Sequence, residues 1–223
     1  MCFAPYVSLS TFLIEFLLAG YFLFRAPRDK LNRVIALITL SLGVYQLNEF
    51  LICVTGVVLF TKLAIMTTAF MPAMAVSYAL VVYRKKLKYY WHVLLYSPAV
   101  FFIVMFGVFD WYNSSAFCST VFIKFPSAGL MGKFFGLYYG LYLAAGIILF
   151  VLAASSTESE YEKKFAYLGL LGTVIFVMST FVFLLFLPAL KYHFPSVLCE
   201  FALLFAIEMM VVLWYKDKHG LKY

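Results

Sequence analysis

Charged residues are scarce in this chain: they make up 12% of 223 positions, against about a quarter in soluble domains. That scarcity excludes an ordinary soluble globular fold. There are three histidines, His92, His193 and His219, scattered along the chain, so no metal site is expected. The chain has no glycine-rich phosphate loop, no nucleophile elbow and no HExxH zinc motif. Neither catalysis nor a cofactor is therefore expected. The amino terminus, MCFAPYVSLS, has no basic n-region, and the first apolar run carries Glu15 and is followed at once by Arg25, Arg28, Lys30 and Arg33. That pattern argues for a retained first helix rather than a cleaved signal peptide.

What remains is apolar. Hydrophobic residues form 65% of the chain and the mean hydropathy is +0.99. The stretch Leu31 to Thr55, LNRVIALITLSLGVYQLNEFLICVT, has the length of a membrane-spanning helix, since roughly 20 residues cross a hydrocarbon core about 30 Å thick. Six further runs have similar length. Expected spans are Pro5 to Phe24, Val34 to Val54, Phe60 to Tyr83, Trp91 to Phe109, Gly132 to Ala154, Phe165 to Leu187 and Ser196 to Tyr215. The fold class expected is an all-α membrane protein, a single seven-helix transmembrane domain over residues 1–223 with its only partner of certain chemistry the lipid bilayer.

The net charge of +7 would suggest nucleic acid in a soluble protein, but here the cations sit in short loops between apolar runs, so no nucleic-acid partner is expected. On the seven-span arrangement only Lys62, Lys124, Lys133 and Lys191 fall outside, and the rest of the 17 basic residues fall inside. The bias predicts the amino terminus outside and the carboxyl terminus in the cytoplasm. Multi-pass insertion in a prokaryotic cell membrane is the expected location.

Four carboxylates lie within the spans: Glu15, Glu49, Glu200 and Glu208. A charge at the centre of a spanning helix costs about 3 kcal/mol on insertion scales, so such side chains face the bundle interior or a wet cavity. Glu49 with Gln46 and Asn48 in helix two, and Glu200 in helix seven, all fall toward the outer side and define the expected ligand-binding pocket. The competing reading is a structural hydrogen bond between helices. Glu15 and Glu208 would continue an acidic path through the membrane in a proton-coupled carrier.

Cys2, Cys53, Cys118 and Cys199 also fall on the outer side, where disulfides are permitted, and Cys118 to Cys199 is the preferred bridge. Reduced, buried cysteine is the alternative. In helix five, Gly132, Gly136 and Gly140 recur every fourth position and permit close helix approach, within the chain or in a homo-oligomer. Tyr138, Tyr139 and Tyr142 make that helix aromatic on more than one face, as cavity wall or as core. Pro72 should kink helix three, with Thr67 or Thr68 repairing the freed carbonyl.

Seven spans invite family comparison. A retinal protein needs a lysine in helix seven, and SVLCEFALLFAIEMMVVLWY has none. Val82-Tyr83-Arg84 is not the receptor signature that ends helix three, helix seven lacks Asn-Pro-x-x-Tyr, and no Pro-Gln pair of the SWEET relatives occurs. Asn32-Arg33 followed by ALITLSLGVYQLNEFL, Ala69-Phe70-Met71-Pro72 through Tyr78-Ala79-Leu80-Val81 into a basic turn, and Tyr96-Ser97-Pro98 at the start of helix four carry a different resemblance. The chain resembles the amino-terminal seven-helix sensor region of bacterial and archaeal histidine kinases. That resemblance implies a unit that receives a signal, here a small or lipid-like ligand, and passes a helix movement to a membrane or cytoplasmic signalling partner. A small proton-coupled transporter and a structural subunit of a larger complex are the alternatives.

Overall fold

The computed structural model describes residues 4–85, 88–109, 117–118, 123–124, 129–186, 201–221 and 223. These hold seven helices: α1 (Ala4–Arg25), α2 (Lys30–Thr55), α3 (Val58–Val82), α4 (Tyr89–Val108), α5 (Gly129–Ser156), α6 (Glu160–Phe186) and α7 (Ala202–Lys218). A two-residue antiparallel pair, Phe117–Cys118 with Ile123–Lys124, lies between α4 and α5 and packs against α2. Five helices, α1 to α5, are long and apolar enough to cross a membrane. At 1.5 Å per residue the shortest of them, α4, is about 30 Å long.

Local chemistry sets the ends. Asp29 caps α2, its carboxylate accepting from the backbone N–H of Leu31 at 2.9 Å and of Asn32 at 3.2 Å. At the other end Gly56, at φ +66°, returns its N–H to the Ile52 carbonyl, a left-handed cap that glycine adopts without strain. α7 is described from Ala202; the Ser196 to Glu200 stretch, where the sequence suggests its start, falls outside the described residues.

The helices pack as a ring. α1 lies on α2, α2 on α3, α3 on α5, α5 on α6, α6 on α7, and α7 returns to α2 and α1. α3 is the most enclosed span, with 61% of its apolar window buried, whereas α4 is attached to the outside of α3 with 17%. An aromatic group ties α4 to α5: Phe102 stacks on Tyr138 at 5.2 Å and Phe106 meets Phe135 edge-on at 5.3 Å. At the centre of the ring is a cavity of about 30 Å³, lined by apolar side chains together with Tyr78, Tyr139 and Thr173, room for one water.

Hydroxyls bond the backbone at or beside both proline breaks, though not those the sequence suggests for Pro72. Thr67 and Thr68 donate to the Leu63 and Ile65 carbonyls, a turn before the site of the break. Instead Tyr138 of α5 donates to the Ala69 carbonyl at 2.9 Å, next to the carbonyl that Pro72 leaves without its helical donor. Pro98 sits in the middle of α4, not at its start, and the Leu94 carbonyl it frees accepts from Ser97 at 3.0 Å. Tyr142 donates to the neighbouring Leu95 carbonyl, also at 3.0 Å. The α5 tyrosines are therefore core side chains that supply the backbone of α3 and α4.

The small-residue face of α5 turns away from the bundle. A methyl group on Gly136 or Gly140 would meet nothing within 4 Å, and Ala144 on the same face is exposed. Internal packing, the simpler expectation for the glycine series, is not what Gly136 and Gly140 do; Gly146, outside that series, lies against α3 at Ala75.

Candidate functional site

One face of α1 carries Ser8, Thr11, Glu15, Ala19 and Phe22, spaced three and four apart and all buried. It meets the polar half of α2. Glu49 is 2% exposed and accepts from the Tyr45 hydroxyl at 2.9 Å and, at a long 3.4 Å, from the Ser8 hydroxyl across the helix seam. Gln46 and Asn48 are buried beside it; the Asn48 amide donates to the Val44 carbonyl of its own helix at 2.8 Å. Glu200, the expected partner from helix seven, lies outside the described residues.

Glu15 sits two helical turns from Ser8, about 10 Å along α1. Its carboxylate fits because α2 offers Gly43 there: a methyl group at Gly43 would stand 3.4 Å from the Glu15 Cβ. Both Glu15 oxygens are sealed from solvent and have no hydrogen-bond partner among the described residues. The same is true of Glu208 on α7, whose carboxylate lies directly against Gly172 of α6. A carboxyl group buried without a donor is tolerated as the neutral acid or with a partner brought to it, because an isolated charge in a low-dielectric interior is far more costly than either.

The Tyr78 hydroxyl is also buried and without a partner among the described residues, its ring packed edge-on against Phe150 at 5.0 Å. Removing an unsatisfied hydroxyl leaves the packing intact and relieves its desolvation. Tyr78→Phe is therefore expected to leave thermal stability unchanged or raise it by about 1 kcal/mol, measured by unfolding in detergent. A loss of more than about 2 kcal/mol would mean that the hydroxyl has a partner after all.

One polar cluster is absent from the sequence reading. Lys216, which reads as part of a basic tail, is 2% exposed at the end of α7. Its ammonium donates to Asp29 Oδ2 at 2.9 Å and to Asn32 Oδ1 at 2.5 Å, and the Asn32 amide in turn donates to the Phe22 carbonyl at 3.1 Å. The end of α7 is thus fastened to the turn between α1 and α2. The signal for it lies in spacing: Phe205, Met209, Val212 and Lys216 follow one another at helical intervals on the buried face.

Cys53 is held in a disulfide. The preferred Cys118 to Cys199 bridge concerns side chains outside the described ones. The structure brings Glu49 and Glu15 onto the α1/α2 seam, buries Gln46 and Asn48 within a turn of Glu49 on α2, and places Glu208 elsewhere, between α6 and α7. Compared with known protein families, with curated proteins and with solved structures, the chain matches none.

Proposed function

We propose that this chain is a seven-span membrane protein, amino terminus outside and carboxyl terminus in the cytoplasm of a prokaryotic cell, that works as a sensor or receptor. It binds a small or lipid-like ligand at the outer end of the α1/α2 seam, through Glu49 with Gln46, Asn48 and Glu200, and passes a movement of α7 to a partner. The observation that carries this reading is the seam itself. Glu49 is held by hydroxyls from both helices, and Glu15, on the same seam, has two oxygens with no donor among the described residues. Polar groups that serve only to glue helices are normally paired with one another. The fastening of α7 to the α1/α2 turn through Lys216 supports the output half, since a shift along the seam reaches the end of α7 through rigid contacts.

The test is a thermal-shift screen of the detergent-purified protein against small acids, amines and lipid-like amphiphiles. Glu49→Gln keeps the side-chain volume and removes the charge. It is expected to weaken a stabilising hit more than tenfold while the melting temperature without ligand moves little, as is Glu200→Gln. Equal stabilisation of both variants and the parent would remove the ligand site from this seam.

A proton-coupled carrier is the second reading, favoured by the carboxylates of Glu15 and Glu208, whose oxygens are both shielded from solvent and without a hydrogen-bond partner among the described residues. Uptake into proteoliposomes that follows a pH gradient and is lost in Glu15→Gln would replace the sensor with a carrier. The exposed face of Gly136 and Gly140 favours a third reading, a subunit that assembles through α5, which shows as comigration of the solubilised protein with a partner.

A further inference from the structure

We propose that the basic end of the bundle binds the phosphate-bearing headgroup of an anionic membrane lipid, in the cavity that α2, α3 and α4 wall between them. The cavity has a volume of about 720 Å³. Lys30 and Arg33 reach it from the first turns of α2, Arg84 and Lys85 from the end of α3, and His92 and Tyr96 from α4. Val34, Leu80 and Val81 form its apolar lining. The proposal rests on the membrane reading of the helices and is independent of the sensor reading.

Cations at this end of the bundle are expected from membrane topology alone, which requires only that they lie on one side. Topology does not require three helices to gather them around one half-open cavity. Lys30, Arg33 and Lys85 have no carboxylate partner among the described residues, and only Arg84 is paired, with Glu162 at 2.6 Å. Like charges gathered around a cavity repel one another unless an anion sits among them. Arg33 spends its Nε on the Pro27 carbonyl, at 2.6 Å, which fixes the guanidinium while leaving its terminal nitrogens free for a phosphate.

The turn that delivers the α3 cations is itself costly. Arg84 takes a left-handed conformation, φ +57°, with its N–H on the Val81 carbonyl and that of Lys85 on the Leu80 carbonyl. This helix ending normally uses glycine. An arginine there accepts about 1 kcal/mol of backbone strain, and in return its guanidinium lies over the Tyr223 ring, 4.9 Å from the centroid. Burial pushes the Tyr223 hydroxyl up to about 12 against the opposing pull of Arg84, so the ring adds a neutral donor to the cavity wall and no negative charge.

The depth of the site selects a lipid over a soluble phosphate ester. One turn further into the bundle, Leu37 follows Arg33 on α2 and Val100 follows Tyr96 on α4, and both are half-exposed hydrophobics. A headgroup seated among the cations would lay its acyl chains along these side chains. Basic pockets between spanning helices are suited to such headgroups, with each cation adding to the attraction.

The experiment is native mass spectrometry of the detergent-purified protein titrated with phosphatidylglycerol, with phosphatidylcholine as the zwitterionic reference and glycerol 3-phosphate as the soluble ester. Phosphatidylglycerol is expected to bind at least tenfold more tightly than phosphatidylcholine. Arg33→Gln and Lys85→Gln should each weaken it about fivefold, and the double variant about 25-fold, with melting temperatures unchanged. Arg28→Gln and Lys163→Gln remove exposed cations outside the cavity and should have no effect. Equal binding of the two lipids overturns the proposal, as does equal loss in all four single variants, which would mean diffuse surface charge. Glycerol 3-phosphate binding as tightly as the lipid would assign the cavity to a soluble phosphate ester and overturn the lipid assignment.

Discussion

Lys216→Met is expected to lower the stability of the bundle by about 3 kcal/mol, because it removes one partner of a buried ion pair and strands the other. The Lys216 side chain is 3% exposed and that of Asp29 17%, so little water is at hand to replace the lost ammonium. Asp29 and Asn32 would both lose their donor, although Asp29 would still cap α2. Methionine keeps the length and apolar stem of lysine, which isolates the charge from the packing. Asp29→Asn should be milder, since asparagine caps a helix as well as aspartate and still accepts from Lys216. The double variant Lys216→Met with Asp29→Asn is expected to recover part of the loss, giving a coupling of about 1 kcal/mol or more in a double-mutant cycle. Arg25→Gln provides the contrast: its pair with Asp217, at 2.8 Å, joins the same helix ends but is 45% and 35% exposed, and an exposed pair contributes at most about 1 kcal/mol. Unfolding in detergent would measure all four. A Lys216→Met protein within about 0.5 kcal/mol of the parent would show that the cluster is dispensable, and would also remove the rigid link on which the proposed signal transfer through α7 rests.

The same cluster shows where sequence reading succeeds and where it stops. Apolar run length located α1 to α5 within a few residues, because bilayer thickness fixes the length of a span independently of what it packs against. Asp29 before an apolar run is a cap signal that needs no tertiary information. Lys216 is different. Its charge points to a solvated tail, and only its register with Val212 and Met209 points inward; which of the two wins depends on Asp29, 187 positions away. Likewise Pro72 and Pro98 announce missing helix bonds, but the Tyr138 and Tyr142 hydroxyls that bond the neighbouring carbonyls, Ala69 and Leu95, come from another helix. Gly136 and Gly140 of α5 belong to a conspicuous pattern and face outward, whereas Gly43, with no pattern around it, is the one that admits Glu15. A small residue states that a close approach is allowed, not which neighbour makes it.

Close approach on α6 leads to the second large effect. Gly169→Ala is expected to destabilise the protein by about 2 kcal/mol, because the added methyl would lie 2.7 Å from the Phe150 ring and 2.8 Å from the Tyr78 hydroxyl. Both rings are buried and packed against each other, so neither can turn aside without opening the contact of α3 with α5. Alanine is favoured over glycine inside a helix by about 1 kcal/mol, and the overlap has to exceed that gain for the sign to hold. Gly172→Ala, one turn on, meets the Glu208 carboxylate instead. That group is the end of a flexible side chain, but it occupies a sealed site, so moving it should cost less than displacing two rings and more than nothing. Combining Gly172→Ala with Glu208→Ala should restore the loss if the contact is the cause. Gly20→Ala, where the methyl meets nothing within 4 Å, should be neutral or stabilising. The order expected in thermal unfolding is therefore Gly169→Ala lowest, then Gly172→Ala, then the parent, with Gly20→Ala level or above. A Gly169→Ala protein as stable as the Gly20→Ala one would mean that α6 does not approach α3 and α5 this closely.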